Sequence, residues 1–203
     1  MSAAKIDLVA LHKSDYTRHR TPTLVDIDAA RYLAIDGAGA PGSAEFQDRI
    51  GVLYGGAYTL KFAAKAAGRD FVVCKLEALW GREGLDDEQL LALPQAEWPW
   101  RLMIRVPDFV GRRELAAACL QLREKGHPGP VDDLALVTLT EGRCVQMLHV
   151  GPYAEEDATI ARMREFAASQ GLAFRGLHHE IYLSDPRRVE PARLQTILRR
   201  PVG

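Results

Sequence analysis

The residues best suited to chemistry in this sequence surround Glu180, in the segment Leu177–Leu183 (LHHEIYL). The segment predicts a β-strand, whose side chains alternate between two faces. His178, Glu180 and Tyr182 therefore share one face, and we expect the more apolar set that includes His179 to pack on a helix. This turns Glu180 into a cleft, where its carboxylate can act as a base toward water. Because a lone buried charge is costly, the alternative is a structural ion pair with Lys75 or an arginine of a neighbouring strand.

Glu77 is a second candidate acid, in the segment Phe71–Trp80 (FVVCKLEALW), which also predicts a strand. The pairs Leu76-Glu77 and His179-Glu180 are expected to occupy equivalent places in two similar halves of the chain. Alternation also puts Lys75 on the same face as Glu77. A Lys75–Glu77 surface pair is therefore an open alternative to a role in ligand binding.

Aromatic residues are spaced so that several of them could wall a cleft. Trp98 and Trp100 lie on one face of a predicted strand, and Tyr54 and Tyr58 are four residues apart on a predicted helix. Such rings suit a flat apolar ligand, although each of them could equally be ordinary core. The expected ligand-binding residues are Trp100, Tyr153, Tyr182, Trp80, Trp98, His178, Tyr54, Tyr58 and Glu77.

Signals for metal, cofactor or covalent chemistry are missing from the sequence. The neighbours His178 and His179 point to opposite faces of a strand, and no third metal ligand is evident. The glycine pairs lack a phosphate-loop frame. The three widely spaced cysteines match no zinc or disulfide pattern. We therefore expect no metal, no cofactor and no cysteine or serine nucleophile.

Composition restricts the partners of the chain. It has 203 residues, 47% of them hydrophobic, and 26 basic residues nearly balance 27 acidic ones. A formal charge of −1 argues against a broad nucleic-acid-binding face. No apolar run is long enough to be a leader or to span a membrane, so a cytoplasmic protein is expected. The oligomeric state remains open.

The order of predicted elements favours an α+β fold made of two pseudo-repeated β-α-β-β modules, with antiparallel sheets flanking a ligand cleft. We expect a single domain over residues 1–203, with an N-terminal arm over about 1–23. Module one is expected over about 24–130 and module two over about 131–203.

The first module predicts β-structure over Leu24–Asp36 and a long helix from the N-cap Ser43 to about Gly68. A strand over Trp98–Val106 and a helix over about 112–125 follow Phe71–Trp80. The second module predicts a hairpin of Leu134–Thr140 with Cys144–Val150, turning at Glu141-Gly142. A helix from Glu155 to Gly171, the strand Leu177–Leu183 and a last strand near Thr196–Arg200 complete it.

Several segments, in order along the chain, resemble the GyrI-like small-molecule-binding family. The matching segments are Tyr32–Gly37 (YLAIDG), Leu53-Tyr54, Ala57–Phe62 (AYTLKF), Leu76–Trp80 (LEALW), His149–Tyr153 (HVGPY), His179–Arg188 (HEIYLSDPRR) and Leu194–Leu198 (LQTIL). The resemblance implies a cleft between two modules for bulky, often aromatic or cationic compounds, with an acid at Glu180 that holds their polar groups. It further implies a free-standing member rather than the effector domain of a regulator.

The N-terminal arm, AYTLKF and WPWRLMIR are most similar to a long-form branch of that family. That branch includes hydrolases that open the cyclopropane of yatakemycin-type DNA-alkylating compounds within an aromatic cage. The resemblance therefore implies a bulky aromatic small molecule as ligand and Glu180-assisted attack of water. Non-catalytic sequestration of a drug or toxin, and modulation of gyrase as an interaction protein, are the alternatives.

Overall fold

The computed structural model describes residues 5–203 of the chain. Residues 1–4, part of the predicted N-terminal arm, lie outside the described residues. The helices are α1 (Leu8–Leu11), α2 (Ala44–Ala66), α3 (Asp87–Ala92), α4 (Arg112–Glu124) and α5 (Glu156–Ser169). The strands are β1 (Thr23–Ile27), β2 (Ala30–Ala38), β3 (Glu77–Trp80), β4 (Pro99–Arg105), β5 (Ala135–Leu139), β6 (Gly142–Val150), β7 (His178–Tyr182) and β8 (Gln195–Pro201).

All eight strands form one antiparallel sheet, in the order β1-β6-β8-β7-β3-β4-β2-β5. The predicted α+β class is confirmed. The units β2-α2-β3-β4 and β6-α5-β7-β8 repeat the same order of elements, and the pairing of β3 with β7 joins them at the middle of the sheet.

The first strand of each half pairs with the other half. β1 pairs with β6, and β5 pairs with β2. The predicted hairpin of Leu134–Thr140 with Cys144–Val150 is therefore wrong, although both segments contain strands. Predicted β-structure over Leu24–Asp36 is likewise two strands that do not pair with each other, because Asp28 and Ala29 separate β1 from β2.

The pairing of each first strand with the other half requires a curled sheet. β1 ends at Ile27 and β2 begins at Ala30, yet they lie near opposite ends of the strand order. Three residues span at most about 10 Å, so the sheet must bend until these strands approach each other. The connection from Leu139 to Gly142 imposes the same requirement on β5 and β6.

Two helices cover one face of the sheet, here called the helix face. The hydroxyl of Ser43 caps α2 by accepting a hydrogen bond from the Phe46 backbone N–H, as predicted. The buried side of α2 packs on the strands of the first half, and Met163 and Ala167 of α5 pack on Val145 and Leu198. The central strands β3 and β7 lie between these two packed regions.

The predicted strand Phe71–Trp80 is much shorter in the structure, where only Glu77–Trp80 forms ladder pairs. Phe71 instead makes an isolated bridge with Ile6, and its ring packs edge-on against Phe109. Apolar β-branched residues there serve a buried connection rather than a strand. Within residues 5–203, no helix is both long and apolar enough to cross a bilayer.

Candidate functional site

Glu180 lies on the helix face, in the gap between the two packed regions. Across four strands it forms one row with Ala78 and Leu102 on one side and Leu198 on the other. Ala78 and Leu102 belong to the core beneath α2, whereas Leu198 belongs to the core beneath α5. His178, Glu180 and Tyr182 share this face as predicted, but the helices cover their face and not the face of His179.

A second carboxylate meets Glu180 in this gap. Glu156 is the first residue of α5, and side-chain ligand atoms of Glu156, His178 and Glu180 all lie within 4.8 Å of one another. The His178 Nε2 is 3.4 Å from the Glu180 Oε1. Only 6% of Glu156 and 8% of Glu180 are exposed, so the two acids form a buried pair.

Electrostatics place a proton on this pair at neutral pH. Burial, and then the charge of Glu180, raise the pKa of Glu156 to about 9. Two adjacent buried carboxylates repel each other, and retaining one proton relieves that repulsion. At neutral pH Glu156 is therefore the protonated member of the pair.

Unpaired polar atoms cluster on the same face. Among the described residues, five buried side-chain polar atoms have no hydrogen-bond partner: Trp80 Nε1, Glu156 Oε1, His178 Nε2, Thr196 Oγ1 and Arg200 Nε. Trp80 lies directly across the strands from His178, and Thr196 lies across from Tyr182. Since buried polar groups are nearly always paired in folded proteins, this concentration makes the face of Glu180 a candidate binding site.

Two tyrosines adjoin the acid pair. The rings of Tyr153 and Tyr182 meet edge to face, with their centroids 5.7 Å apart. Burial, then the charges of Glu180 and Glu156, raise the pKa of Tyr153 to about 12 and hold that of Tyr182 well above its usual value. Both hydroxyls therefore stay protonated at neutral pH and can donate hydrogen bonds.

The tryptophans lie mostly in the core under α2. Phe46 stacks on Trp80 at 5.8 Å and meets Trp100 edge-on at 5.2 Å, while Trp98 packs against Trp80 at 6.3 Å. Trp100 is buried, and its Nε1 donates to the Gly39 carbonyl oxygen. The Trp98 Nε1 donates to the Leu93 carbonyl oxygen. Trp80 lies across the strands from His178 and is therefore the tryptophan that borders the acid pair.

Tyr54 and Tyr58 lie farther out along α2. The phenol oxygen of Tyr54 is close to the backbone N–H of Leu76, whose carbonyl oxygen accepts from the Tyr182 N–H at 3.0 Å. Tyr54 thus stands at the margin of the acid pair. Tyr58 is 48% exposed and lies one helical turn beyond.

Glu77 lies on the opposite face of the sheet from Glu180. The register pairs Ala78, not Glu77, with Glu180. The predicted equivalence of Glu77 and Glu180 is therefore one residue out of register, and a shift of one residue reverses the face. Glu77 is fully buried, accepts a hydrogen bond from the Tyr16 hydroxyl at 3.0 Å, and forms no surface pair with the exposed Lys75.

His179 joins Glu77 in a buried network on that opposite face. Its Nε2 is 3.0 Å from Glu77 and its Nδ1 is 3.0 Å from Glu141. Burial lowers the pKa of His179, but the two carboxylates outweigh burial and raise it to about 9. Arg199 donates to Glu141 at 2.8 Å and to Gln146 at 2.8 Å. His179 was expected among apolar residues, and it is instead a paired cation.

The structure thus brings together Glu180, His178, Tyr182, Tyr153 and Trp80, and adds Glu156, which the sequence interpretation did not select. In the sequence Glu156 belongs to the acidic turn Glu155-Glu156-Asp157, which is ordinary for the start of a helix. Glu156 is also a third possible metal ligand beside His178 and Glu180. No sequence spacing reveals it, because 24 residues separate Glu156 from Glu180.

Comparisons with known proteins place the chain among small-molecule-binding proteins. The family description "GyrI-like small molecule binding domain" matches residues 116–202, which contain both acids of the pair. A hydrolase from Listeria innocua is 35% identical, covering 98% of this chain and 100% of that chain, with a TM-score of 0.86. An uncharacterized conserved protein from Listeria innocua is 37% identical over the same shares, with a TM-score of 0.88.

A more distant structure shares the fold alone. The C-terminal domain of EcmrR is 12% identical, with 90% of this chain and 97% of that domain covered and a TM-score of 0.58. A search of curated proteins returned no match. The family match, together with full-length relatives above 30% identity, shows that this chain belongs to the GyrI-like small-molecule-binding family.

Proposed function

We propose that this GyrI-like protein hydrolyses strained cyclopropanes in bulky aromatic DNA-alkylating compounds, with Glu180 as the base. The observation that carries the proposal is the buried Glu156–Glu180 pair, which holds one proton among unpaired polar atoms. Full-length relatives that are described as hydrolases support a hydrolytic reaction. Cyclopropane as the reactive group comes from the likeness to the long-form branch.

The pair is suited to activating one water molecule. Glu180 accepts a proton from the water, whose oxygen attacks the cyclopropyl CH₂ carbon and forms a C–O bond. Glu156, which is protonated at neutral pH, donates its hydrogen toward Glu180 or the water and fixes the orientation of both.

Opening the ring moves an electron pair away from the attacked carbon. The cyclopropane C–C bond breaks, and its electrons pass into the conjugated dienone, which becomes a phenolate. A hydrogen-bond donor stabilises the oxygen that gains this charge, and the Tyr153 hydroxyl or the imidazole of His178 is suited to that role. The proton taken up by Glu180 returns to solvent and the phenolate is protonated, so the net reaction is addition of water.

Turnover of a yatakemycin-type compound by catalytic amounts of protein tests the proposal. The variant Glu180→Gln keeps the shape of the side chain but cannot accept the proton, so the rate of ring opening should fall by about 10²- to 10⁴-fold. The matched control is Glu155→Gln, an exposed acid in the same turn, which should retain the rate of the unmodified protein.

Each outcome decides between the functions. Many turnovers per protein molecule, lost in Glu180→Gln and kept in Glu155→Gln, support hydrolysis. Protection of the compound at a one-to-one ratio without any ring-opened product would overturn hydrolysis and leave the sequestering protein as the function.

A further inference from the structure

Three aromatic rings form a strip along one side of α2. The centroids of Tyr54 and Tyr58 are 6.3 Å apart, as are those of Tyr58 and Phe62, and adjacent ring planes differ by only 29° and 28°. The residues recur every four positions, which places them on one side of a helix. Eight residues of helix rise about 12 Å, the length of several fused rings.

The outer part of the strip is exposed. Tyr58 is 48% and Phe62 59% exposed, and both are among the few large apolar side chains left open to solvent. Single exposed apolar residues are normal, but three aligned rings are a contiguous surface, which marks a binding region. The Lys61 ammonium lies 4.9 Å from the centroid of the Phe62 ring and borders the outer end of the strip.

The inner end of the strip reaches the candidate site. Tyr54 lies beside Leu76, whose carbonyl oxygen is bonded to the backbone of Tyr182. Asp185 and Arg187, in the loop that follows β7, are close enough to Tyr54 to influence its ionisation. The inner end of the strip therefore lies beside β7, the strand that carries Glu180, and beside the loop that follows it.

We infer that the Tyr54–Tyr58–Phe62 strip is a second subsite, which binds a planar aromatic extension of the ligand outside the reacting centre. This inference rests on the proposed function, because the reacting part of the ligand is placed at Glu180. Parallel exposed rings favour stacking on a flat aromatic group. Binding energy from such a remote part of a substrate can be used to orient its reacting part.

Two probes of different length test the subsite. Both contain a cyclopropapyrroloindole unit, and the N-acyl group is acetyl in the short probe and a planar indole-2-carbonyl in the long probe. The unmodified protein should prefer the long probe in kcat/KM. The double variant Tyr58→Ala/Phe62→Ala should lower the ratio of long-probe to short-probe kcat/KM by about tenfold. Leu120→Ala, which shortens an exposed apolar residue on α4, should leave the ratio unchanged.

Two results would overturn the subsite. One is an unchanged ratio in the double variant, whether kcat/KM stays the same or falls equally for both probes. The other is sedimentation showing that the unmodified protein self-associates and the double variant does not, which would make the strip a protein interface. If neither probe is hydrolysed, the proposed function fails, and the same ratio measured by calorimetric binding still decides whether the strip binds the extension.

Discussion

The two faces of β7 hold two buried carboxylate pairs that are balanced in opposite ways. On the face away from the helices, Glu77 and Glu141 lie on either side of His179, each 3.0 Å from a ring nitrogen. On the helix face, Glu156 and Glu180 lie beside His178, the preceding residue of the same strand. Four acids therefore surround two successive histidines.

The two pairs differ in the source of the compensating charge. His179 and Arg199 neutralise the first pair. Desolvation by burial raises the pKa of Glu141, but the two cations outweigh it and lower that pKa to about 2. No arginine or lysine forms an ion pair with the second pair among residues 5–203, and a proton on Glu156 takes that place. Acids that are fully paired with cations are structural, whereas acids that retain a mobile proton beside unpaired donors can do chemistry. Burial and residue type alone do not separate these two cases.

Removing the cation should have the largest effect on stability. His179→Gln leaves Glu77 and Glu141 buried without their shared charge, so the free energy of unfolding at pH 7 should fall by about 3–5 kcal/mol. Urea unfolding measures this change. Because the pKa of His179 is about 9 in the folded state and near 6.5 when unfolded, its stabilising contribution is complete below about pH 6.5 and is lost as pH rises through 9. The difference in unfolding free energy between His179→Gln and the unmodified protein should therefore become smaller as pH rises toward 9.

The adjacent histidine provides the control. His178→Gln changes the same side chain one position away on the helix face, where Nε2 has no hydrogen-bond partner, and it should cost less than about 1 kcal/mol. Equal losses of unfolding free energy in His178→Gln and His179→Gln would show that a cation does not stabilise one face more than the other.

Removing the Glu156 carboxyl from the second pair should raise the free energy of unfolding, whereas removing His179 lowers it. Glu156→Gln removes a carboxyl group whose pKa is raised to about 9, and should stabilise the protein by about 1–3 kcal/mol at pH 7. The folded state retains a proton that the unfolded chain releases above about pH 4.5. The destabilisation that Glu156 causes is therefore absent below that pH, grows as pH rises, and stops growing near pH 9.

Urea unfolding of the variant and the unmodified protein across pH 4–9 measures this difference in stability. Turnover of a yatakemycin-type compound should also fall, because the amide that replaces the Glu156 carboxyl has no acidic hydrogen. Glu155→Gln should move neither quantity. A Glu156→Gln variant that is less stable at pH 7 than the unmodified protein would show that Glu156 is paired with a cation.

Local signals predicted the three long helices α2, α4 and α5 and most strands, because these signals depend on neighbouring residues, but they missed the short helix α3. Ser43 caps α2 as expected, because an N-cap depends only on the residues at the start of its helix. Strand partners depend on long-range packing instead. The turn at Glu141-Gly142 signals a reversal of the chain, but it cannot indicate that β5 pairs with β2 rather than with β6.

Alternation along β7 correctly grouped His178, Glu180 and Tyr182, since it is a property of any strand. The role of Glu77 could not be deduced from this pattern, because the register that pairs Ala78 with Glu180 is fixed by contacts between the two halves. Trp100 and Trp80 are cross-strand neighbours that both contact Phe46 of α2. They differ in the partner of the indole N–H, which is the Gly39 carbonyl for Trp100 and is absent for Trp80, and the sequence does not show this.

The smallest expected effect compares two buried threonines. Thr196 lies on the helix face beside the Glu156 carboxyl, and its hydroxyl makes no hydrogen bond of normal geometry, whereas the Thr159 hydroxyl is 2.9 Å from His149 Nδ1. Replacing an unpaired buried hydroxyl with a methyl group removes a desolvation cost, while replacing a paired one leaves its partner unsatisfied. Thr196→Val should therefore leave the free energy of unfolding unchanged or raise it by up to about 1 kcal/mol, and Thr159→Val should lower it by about 1 kcal/mol. Urea unfolding of both variants in parallel measures the contrast, and a loss of equal size in Thr196→Val would mean that the helix face is as fully paired as the face of His179.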